Sequence, residues 1–245
     1  MKRILLTTGV CALLSFAASA QTPAVFQPGK LAVFQEGSGG PGRCLPFGAV
    51  TGITNYTPDD IFGSRQNQIF IGQFDPNTPN QTNASVLVAV PTNGYSAMLV
   101  NGNAGTEGYM TLADDRSVLT FAGYAGDICS ITTGGQTAPS NLSYDRGVGT
   151  VDAFTNYVNV YRGSKWYGTA TGKTNPRGAA TDGAGNFWGC GNGYGSLYYN
   201  ANTGDDPIQF QNIALTSCSR AQNHKLYNSV KGSESVNLYP AGIYT

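Results

Sequence analysis

Charge is the first thing this 245-residue chain has little of. Asp, Glu, Lys and Arg together make up 11% of it, with 14 basic against 14 acidic residues. Nucleic acid and anionic lipid both demand a basic surface, so neither is expected as a partner. Histidine is rarer still: His224 is the single one. No C-x-x-C pair accompanies it, which leaves zinc without a ligand set, and no metal or cofactor is expected. No loop carries the alternating acids of a calcium site. Beyond residue 20 no apolar run is long enough to cross a bilayer, so membrane insertion is not expected. No convincing helical periodicity appears there either. Without helices to alternate with strands, a parallel α/β fold is disfavoured.

The apolar run that does exist lies at the start. In MKRILLTTGVCALLSFAASA-QTP, Lys2 and Arg3 precede an apolar core from Ile4 to Phe16, and Ala18-Ser19-Ala20 is a small-x-small cleavage pattern. Residues 1–20 therefore read as a cleaved secretory signal, and residues 21–245 as one exported domain at the cell surface or outside the cell. Four cysteines follow the signal: Cys44, Cys129, Cys190 and Cys218. An even number in an exported chain points to two disulfides. All three pairings remain open, with Cys44–Cys129 and Cys190–Cys218 favoured by nearness.

What the chain has in quantity is glycine, 33 copies, together with 14 tyrosines and 11 phenylalanines. Short runs rich in β-branched and aromatic residues recur, as in QIFIG (68–72), SVLVAV (85–90), SVLTFAG (117–123), YVNVY (157–161), NFWGC (186–190) and SLYYN (196–200). Gly, Asn, Asp and Pro fence most of them, and these residues supply turns. The pattern is that of an all-β protein: sandwich, barrel or propeller. One glycine cluster, Gly37, Gly39 and Gly42, satisfies G-x-G-x-x-G. Pro41, Cys44 and Pro46 leave no helix to start there, so it reads as a loop and not a dinucleotide site.

Three segments share a plan: GYMTLADDRSVLTFAGYAG (108–126), RGAATDGAGNFWGCGNGYG (177–195) and TSCSRAQNHKLYNSVKGSE (216–234). Each runs from a strand of small or hydroxyl residues through a polar turn to a more apolar strand. The last two turns lie about 40 residues apart, the size of a four-stranded propeller blade. Phe187 and Trp188 point to opposite faces of a strand, so both are buried only if sheets stack on either side.

DGAGNFWGCGNGYGSLYYN resembles the D-x-x-G-x-[aromatic/aliphatic]-W…G…Tyr repeat of bacterial β-propellers. GTEGYMTLADDRSVLTFAGYAG, followed by DRGVGTVDAF, is similar to blades of exported bacterial propeller-like proteins with no assigned activity. In those, a strand led by Glu-Gly enters an Asp-Gly hairpin; here Asp114-Asp115-Arg116 replaces the Asp-Gly turn, and the third segment is degenerate. The resemblance implies a β-propeller of four-stranded antiparallel blades, with a β-sandwich as the alternative, and it brings no catalytic motif. At about 40–45 residues per blade, the domain holds about four or five. That points to a small propeller or to a chain short of its C-terminal blades.

Chemistry is sparse. His224 sits in a turn with no orienting partner in view, which a general base needs, and no G-x-S-x-G elbow marks a nucleophile. The acid pairs Asp59-Asp60, Asp114-Asp115 and Asp205-Asp206 read as solvated turns, although a glycosidase needs two opposed carboxylates. Trp166, Tyr167, Trp188 and Tyr194 are the candidate ligand-binding aromatics, with packing as the competing role. N-x-[ST] occurs at Asn55, Asn80, Asn83 and Asn141, a hint of surface loops. The expectation is a secreted, non-enzymatic module that binds protein or glycan. The alternative is a polysaccharide-active hydrolase or lyase with carboxylates near the propeller axis.

Overall fold

The computed structural model describes residues 24–37, 66–101, 107–126, 144–165, 175–191, 195–211, 215–222 and 225–230, with the backbone alone at 66, 190, 195–196 and from 209 on. Residues 1–20, Cys44, Cys129, Asp59-Asp60, Trp166, Tyr167, Tyr194 and His224 lie outside that set.

The chain is all-β: the described residues form strands and turns and no helix, and none of them forms a helix able to cross a membrane. The strands are β1 (Leu31–Gly37), β2 (Gln66–Phe74), β3 (Val86–Ala89), β4 (Leu99–Asn101), β5 (Met110–Leu112), β6 (Val118–Ala125), β7 (Asp145–Asp152) and β8 (Tyr157–Gly163). They continue with β9 (Pro176–Thr181), β10 (Asn186–Gly191), β11 (Gly195–Asn200), β12 (Ile208–Gln211), β13 (Leu215–Gln222) and β14 (Lys225–Val230). The first eight make one open sheet, in the order β1-β2-β4-β6-β7-β8, with β3 paired to β2 and β5 to β6. β9 to β12 form a four-stranded antiparallel meander, and β13 pairs with β14.

The large sheet folds over itself, and β4 is its corner. β4 pairs with β2 through Leu99↔Gln68 and with β6 through Leu99↔Tyr124. On one side of the corner β1, β2 and β3 form a first leaf; on the other, β5-β6-β7-β8 form a meandering second leaf. Ile69, Ile71, Val88 and Val90 of the first leaf close on Phe121, Val151 and Tyr157 of the second, and Met98 and Val100 join them. Burying a large apolar side chain contributes roughly 1.5–3 kcal/mol, so this cluster dominates the stability of the pair. The Phe121 ring stands edge-on to Phe34 at 5.8 Å and lies nearly parallel to Tyr157 at 6.1 Å. Gly149, opposite Phe121 in the sheet, makes room for it: a Cβ there would sit 2.7 Å from the ring.

The other face of the second leaf is buried as well. Side chains alternate along a strand, so Phe121 faces the first core while Ala122 turns to a second. There Ala122 and Val148 meet Ala179, Phe187, Leu197 and Tyr199 of the β9–β12 leaf. Small residues at 122 and 179 let the two sheets approach closely. β9 also touches the second leaf along an edge. Tyr109 bridges Gly178 in parallel, Thr111 Oγ1 donates to the Ala179 carbonyl at 2.8 Å, and Asp114 N donates to the Thr181 carbonyl at 3.3 Å. Thus the expectation for Phe187 and Trp188 is met: both are buried, Phe187 toward the second leaf and Trp188 on the opposite face beside Tyr198. β13 lies against β9 and β10.

All three of the patterned segments are hairpins: β5–β6, β9–β10 and β13–β14. The β9–β10 turn is built by Asp182, whose Oδ1 accepts from the amides of Ala184 (2.8 Å) and Asn186 (3.3 Å) while Oδ2 accepts from Asn186 Nδ2 at 2.6 Å. The β7–β8 turn repeats the device four residues wide, with Asp152 accepting from the amides of Phe154 and Asn156 and from Asn156 Nδ2. Gly183 takes φ +86°, which a side chain resists, and its Cα faces the Asp115 carboxyl of the neighbouring turn so closely that a Cβ would collide with it.

Candidate functional site: a buried charged cluster at the long-connection end

Antiparallel connections alternate between two ends of the leaves. One end carries the turns at 113–117, 153–156 and 182–185 together with the connection 75–85. The other carries the connections 38–65, 126–144 and 164–175 together with the short one at 192–194. Long connections on a rigid scaffold are where binding residues concentrate.

A row of residues crosses the large sheet at that second end: Gly37, Gln68, Leu99, Tyr124, Arg146 and Gly163. Around it gather most of the buried charges of the described residues. Tyr124 is fully buried, and its hydroxyl donates to Glu107 Oε1 at 2.7 Å. Glu107 Oε2 accepts from the Asn101 amide at 3.1 Å. Burial outweighs these hydrogen bonds and pushes the Glu107 carboxyl up to about 7, with the Arg177 charge pulling it back and Glu36 adding to the rise. Glu36 on β1 is half-buried and is itself raised by burial, against a hydrogen bond from Asn67. Tyr124 is held protonated by burial and by the Glu107 carboxyl.

Two arginines enter from facing leaves. Arg146 on β7 is buried, with its guanidinium 5.3 Å from the centre of the Tyr124 ring and a donor on the Tyr144 carbonyl. Cations over aromatic faces contribute about 0.5–2 kcal/mol. Arg177, the second residue of β9, falls at the bulge between Pro176 and Gly178; its charge acts on Glu107 and Tyr124, and only 3% of it is exposed. Its Nε and Nη1 are buried and make no hydrogen bond. The interface between the second and third leaves is therefore graded: Thr120, Thr150 and Thr181 at the turn end, alanine and aromatics in the middle, and Tyr124, Arg146 and Arg177 at the long-connection end.

The residues singled out from sequence fall elsewhere. Trp188 is packed into β10 with 7% exposure. Asp115 Oδ1 accepts from the amide (2.9 Å) and hydroxyl (2.6 Å) of Ser117, so it shapes its turn. Asp206 makes an exposed pair with Lys165 at 3.3 Å. Asn80 and Asn83 lie exposed in the β2–β3 connection. Cys190 and Cys218 fall in β10 and β13. No group of three His, Cys, Asp or Glu side chains converges among the described residues.

Glu107, Tyr124, Arg146 and Arg177 were missed because each stands alone in the sequence. A usable signal was present: Arg146-Gly-Val-Gly-Thr150 and Arg177-Gly-Ala-Ala-Thr181 share the pattern R-G-x-x-T, and both arginines reach the same layer. A concavity lies at the turn end, an open groove of about 710 Å³ lined by Phe26, Leu31, Met110, Leu112, Arg116 and Val118.

No family model, curated protein or solved structure matches this chain.

Proposed function

We propose that this chain is an exported, non-enzymatic module of the β-propeller type that binds protein or glycan at the cell surface or outside. The observation that carries the reading is the face-to-face stack of two consecutive four-stranded meanders, β5–β8 and β9–β12, whose first strands run side by side and parallel at Tyr109 and Gly178. Successive propeller blades are related in this way, and the third hairpin, β13–β14, follows on the far side of β9. The first leaf departs from the plan, since β3 and β4 share one edge of β2 in place of a simple meander. A sandwich corner at β4 is the architectural alternative.

Binding is favoured over catalysis because the charges at the long-connection end are locked into the fold. Glu107 is held by Tyr124 and Asn101, and Arg146 by Tyr124 and Tyr144. One observation favours the second reading, a polysaccharide-active hydrolase or lyase: Glu36 and Glu107 are two carboxyls at the same end, both raised by burial. Raised carboxyls are suited to general acid work. A glycan array probed with the purified exported chain, followed by product analysis of every bound glycan, separates the readings. Binding with no product, unchanged in Glu107→Gln, supports the module; cleavage abolished in that variant establishes the enzyme.

A further inference from the structure

Tyr95 is the most exposed aromatic side chain among the described residues, at 74%. Single apolar residues on a surface need no explanation, but this one is fixed by a neighbouring strand. The turn that carries it, between β3 and β4, closes through Ala97 N on the Gly94 carbonyl at 3.1 Å and Met98 N on the Pro91 carbonyl at 3.0 Å. β8 then holds three consecutive carbonyls of that turn. Arg162 Nη1 donates to Gly94 O at 3.2 Å and to Tyr95 O at 3.0 Å, and the buried Tyr157 hydroxyl donates to Ser96 O at 3.0 Å. The Arg162 guanidinium also lies over the Tyr95 ring, 5.5 Å from its centre. A ring with a cation on one face and this much exposure presents its other face to water. An aromatic fixed in advance avoids most of the ordering cost of binding.

The surroundings supply hydroxyls and balanced charges. Burial raises the Tyr199 hydroxyl, and the nearby Tyr95 adds to the rise. The Tyr199 ring is 4.8 Å from that of Tyr161. Tyr161 is pushed up to about 12 by burial, and further by Asp206, Tyr199 and Asp145. Each of these acids is matched by a cation: Asp145 by Arg162 at 3.7 Å and Asp206 by Lys165 at 3.3 Å, and none of the four is buried. A patch whose charges cancel selects neither an anion nor a cation. An apolar ring face flanked by carboxylate oxygens and hydroxyls suits a neutral sugar, because one face of a pyranose is apolar and its rim is hydroxyl. On an open platform the ligand itself must bring the flat apolar area. An all-equatorial pyranose does so best, since only C–H bonds stand up from its faces, and equatorial linkage keeps successive rings in one ribbon.

We propose that the outer face of Tyr95 is a stacking platform for a neutral, equatorially linked glucose chain, with one pyranose on the ring and its hydroxyls on the Arg162–Asp145 pair. The chain runs on toward Tyr199 and the Lys165–Asp206 pair. The proposal deepens the glycan-binding reading and rests on it. Arg162 is a positioning residue: it backs the ring and holds the turn, while Tyr95 makes the contact.

The test is titration of the purified full chain with cellohexaose, followed by calorimetry and by the tyrosine ring-proton resonances in an NMR spectrum. Maltohexaose, the same sugar in a curved linkage, and hexagalacturonate, an anionic chain, serve as the comparison arms. The expected result is saturable binding of cellohexaose that salt does not weaken, with each comparison arm about tenfold weaker. Tyr95→Ala lowers cellohexaose affinity about tenfold, whereas Tyr95→Phe, which keeps the ring, stays within about threefold of the native chain. The Tyr95 ring signals, assigned from the Tyr95→Phe spectrum, shift on titration, and this readout keeps the test decisive if Tyr95→Ala fails to fold. No saturable binding of cellohexaose, equal or tighter binding of either comparison chain, native affinity in Tyr95→Ala, or unshifted Tyr95 signals overturns the proposal. Native affinity in Tyr95→Ala removes the platform and leaves the glycan-binding reading standing. That reading falls only if the whole glycan array is empty.

Discussion

Replacing Glu107 by glutamine removes a carboxyl that folding forces out of water, and the consequence is a pH profile. The folded chain raises this group from 4.5 to about 7. A raised carboxyl binds its proton more tightly in the folded state, so its contribution to stability is complete below pH 4.5 and is lost as the pH climbs toward 7. The loss is about 2.5 pKa units at 1.36 kcal/mol each, or about 3 kcal/mol between pH 4.5 and 8. Glutamine keeps an acceptor for the Tyr124 hydroxyl and the Asn101 amide while carrying no charge. The assay is urea unfolding of both proteins at half-unit steps from pH 4.5 to 8. Stability of the native chain should fall relative to the variant across this window, and the variant should be the more stable above pH 7. Glu36 titrates in both proteins with the same sign, so the difference between the curves reports Glu107 together with its coupling to Glu36. Parallel curves would refute the burial of this carboxyl.

Gly183→Ala should cost about 1–3 kcal/mol in chemical denaturation, combining the penalty of φ +86° with the collision against Asp115; Asp115→Ala in the same chain should recover the collision part only. Arg116→Gly should stabilise by about 0.5–1 kcal/mol, because Arg116 holds φ +64° in the β5–β6 turn, and a thermal melt reads the gain. Phe121→Ala should cost about 3–5 kcal/mol, measured the same way, since Phe121 is fully buried between Phe34, Tyr157 and Gly149.

The hairpins were legible because their turn chemistry is local. Asp182, Gly183 and Gly185 need only their own backbone to make a turn, and Trp188 with Phe187 announces a strand buried on both faces. β9 was harder to place by periodicity: Ala179 and Ala180 are both buried, one against Ala122 and one on the opposite face, so no alternation survives. The course of the first leaf was not legible at all, because the pairing of three-residue β4 with both β2 and β6 depends on where the sheet bends. The charged cluster is harder still to see. Glu107, Tyr124, Arg146 and Arg177 come from four separate segments and meet only when the leaves stack. Acid pairs adjacent in sequence were conspicuous for the opposite reason: adjacency is a property of turns, and Asp115 and Asp206 spend their charge there.

The central claim is that the leaves succeed one another around a shared axis, each buried against the next. A crystal structure of the chain tests it most directly. The account predicts that β5, β9 and β13 line that axis as parallel neighbours, with Ala122 packed on Ala179 between the second and third leaves. Two sheets facing each other, with β9 at an outer edge away from β5, would contradict it.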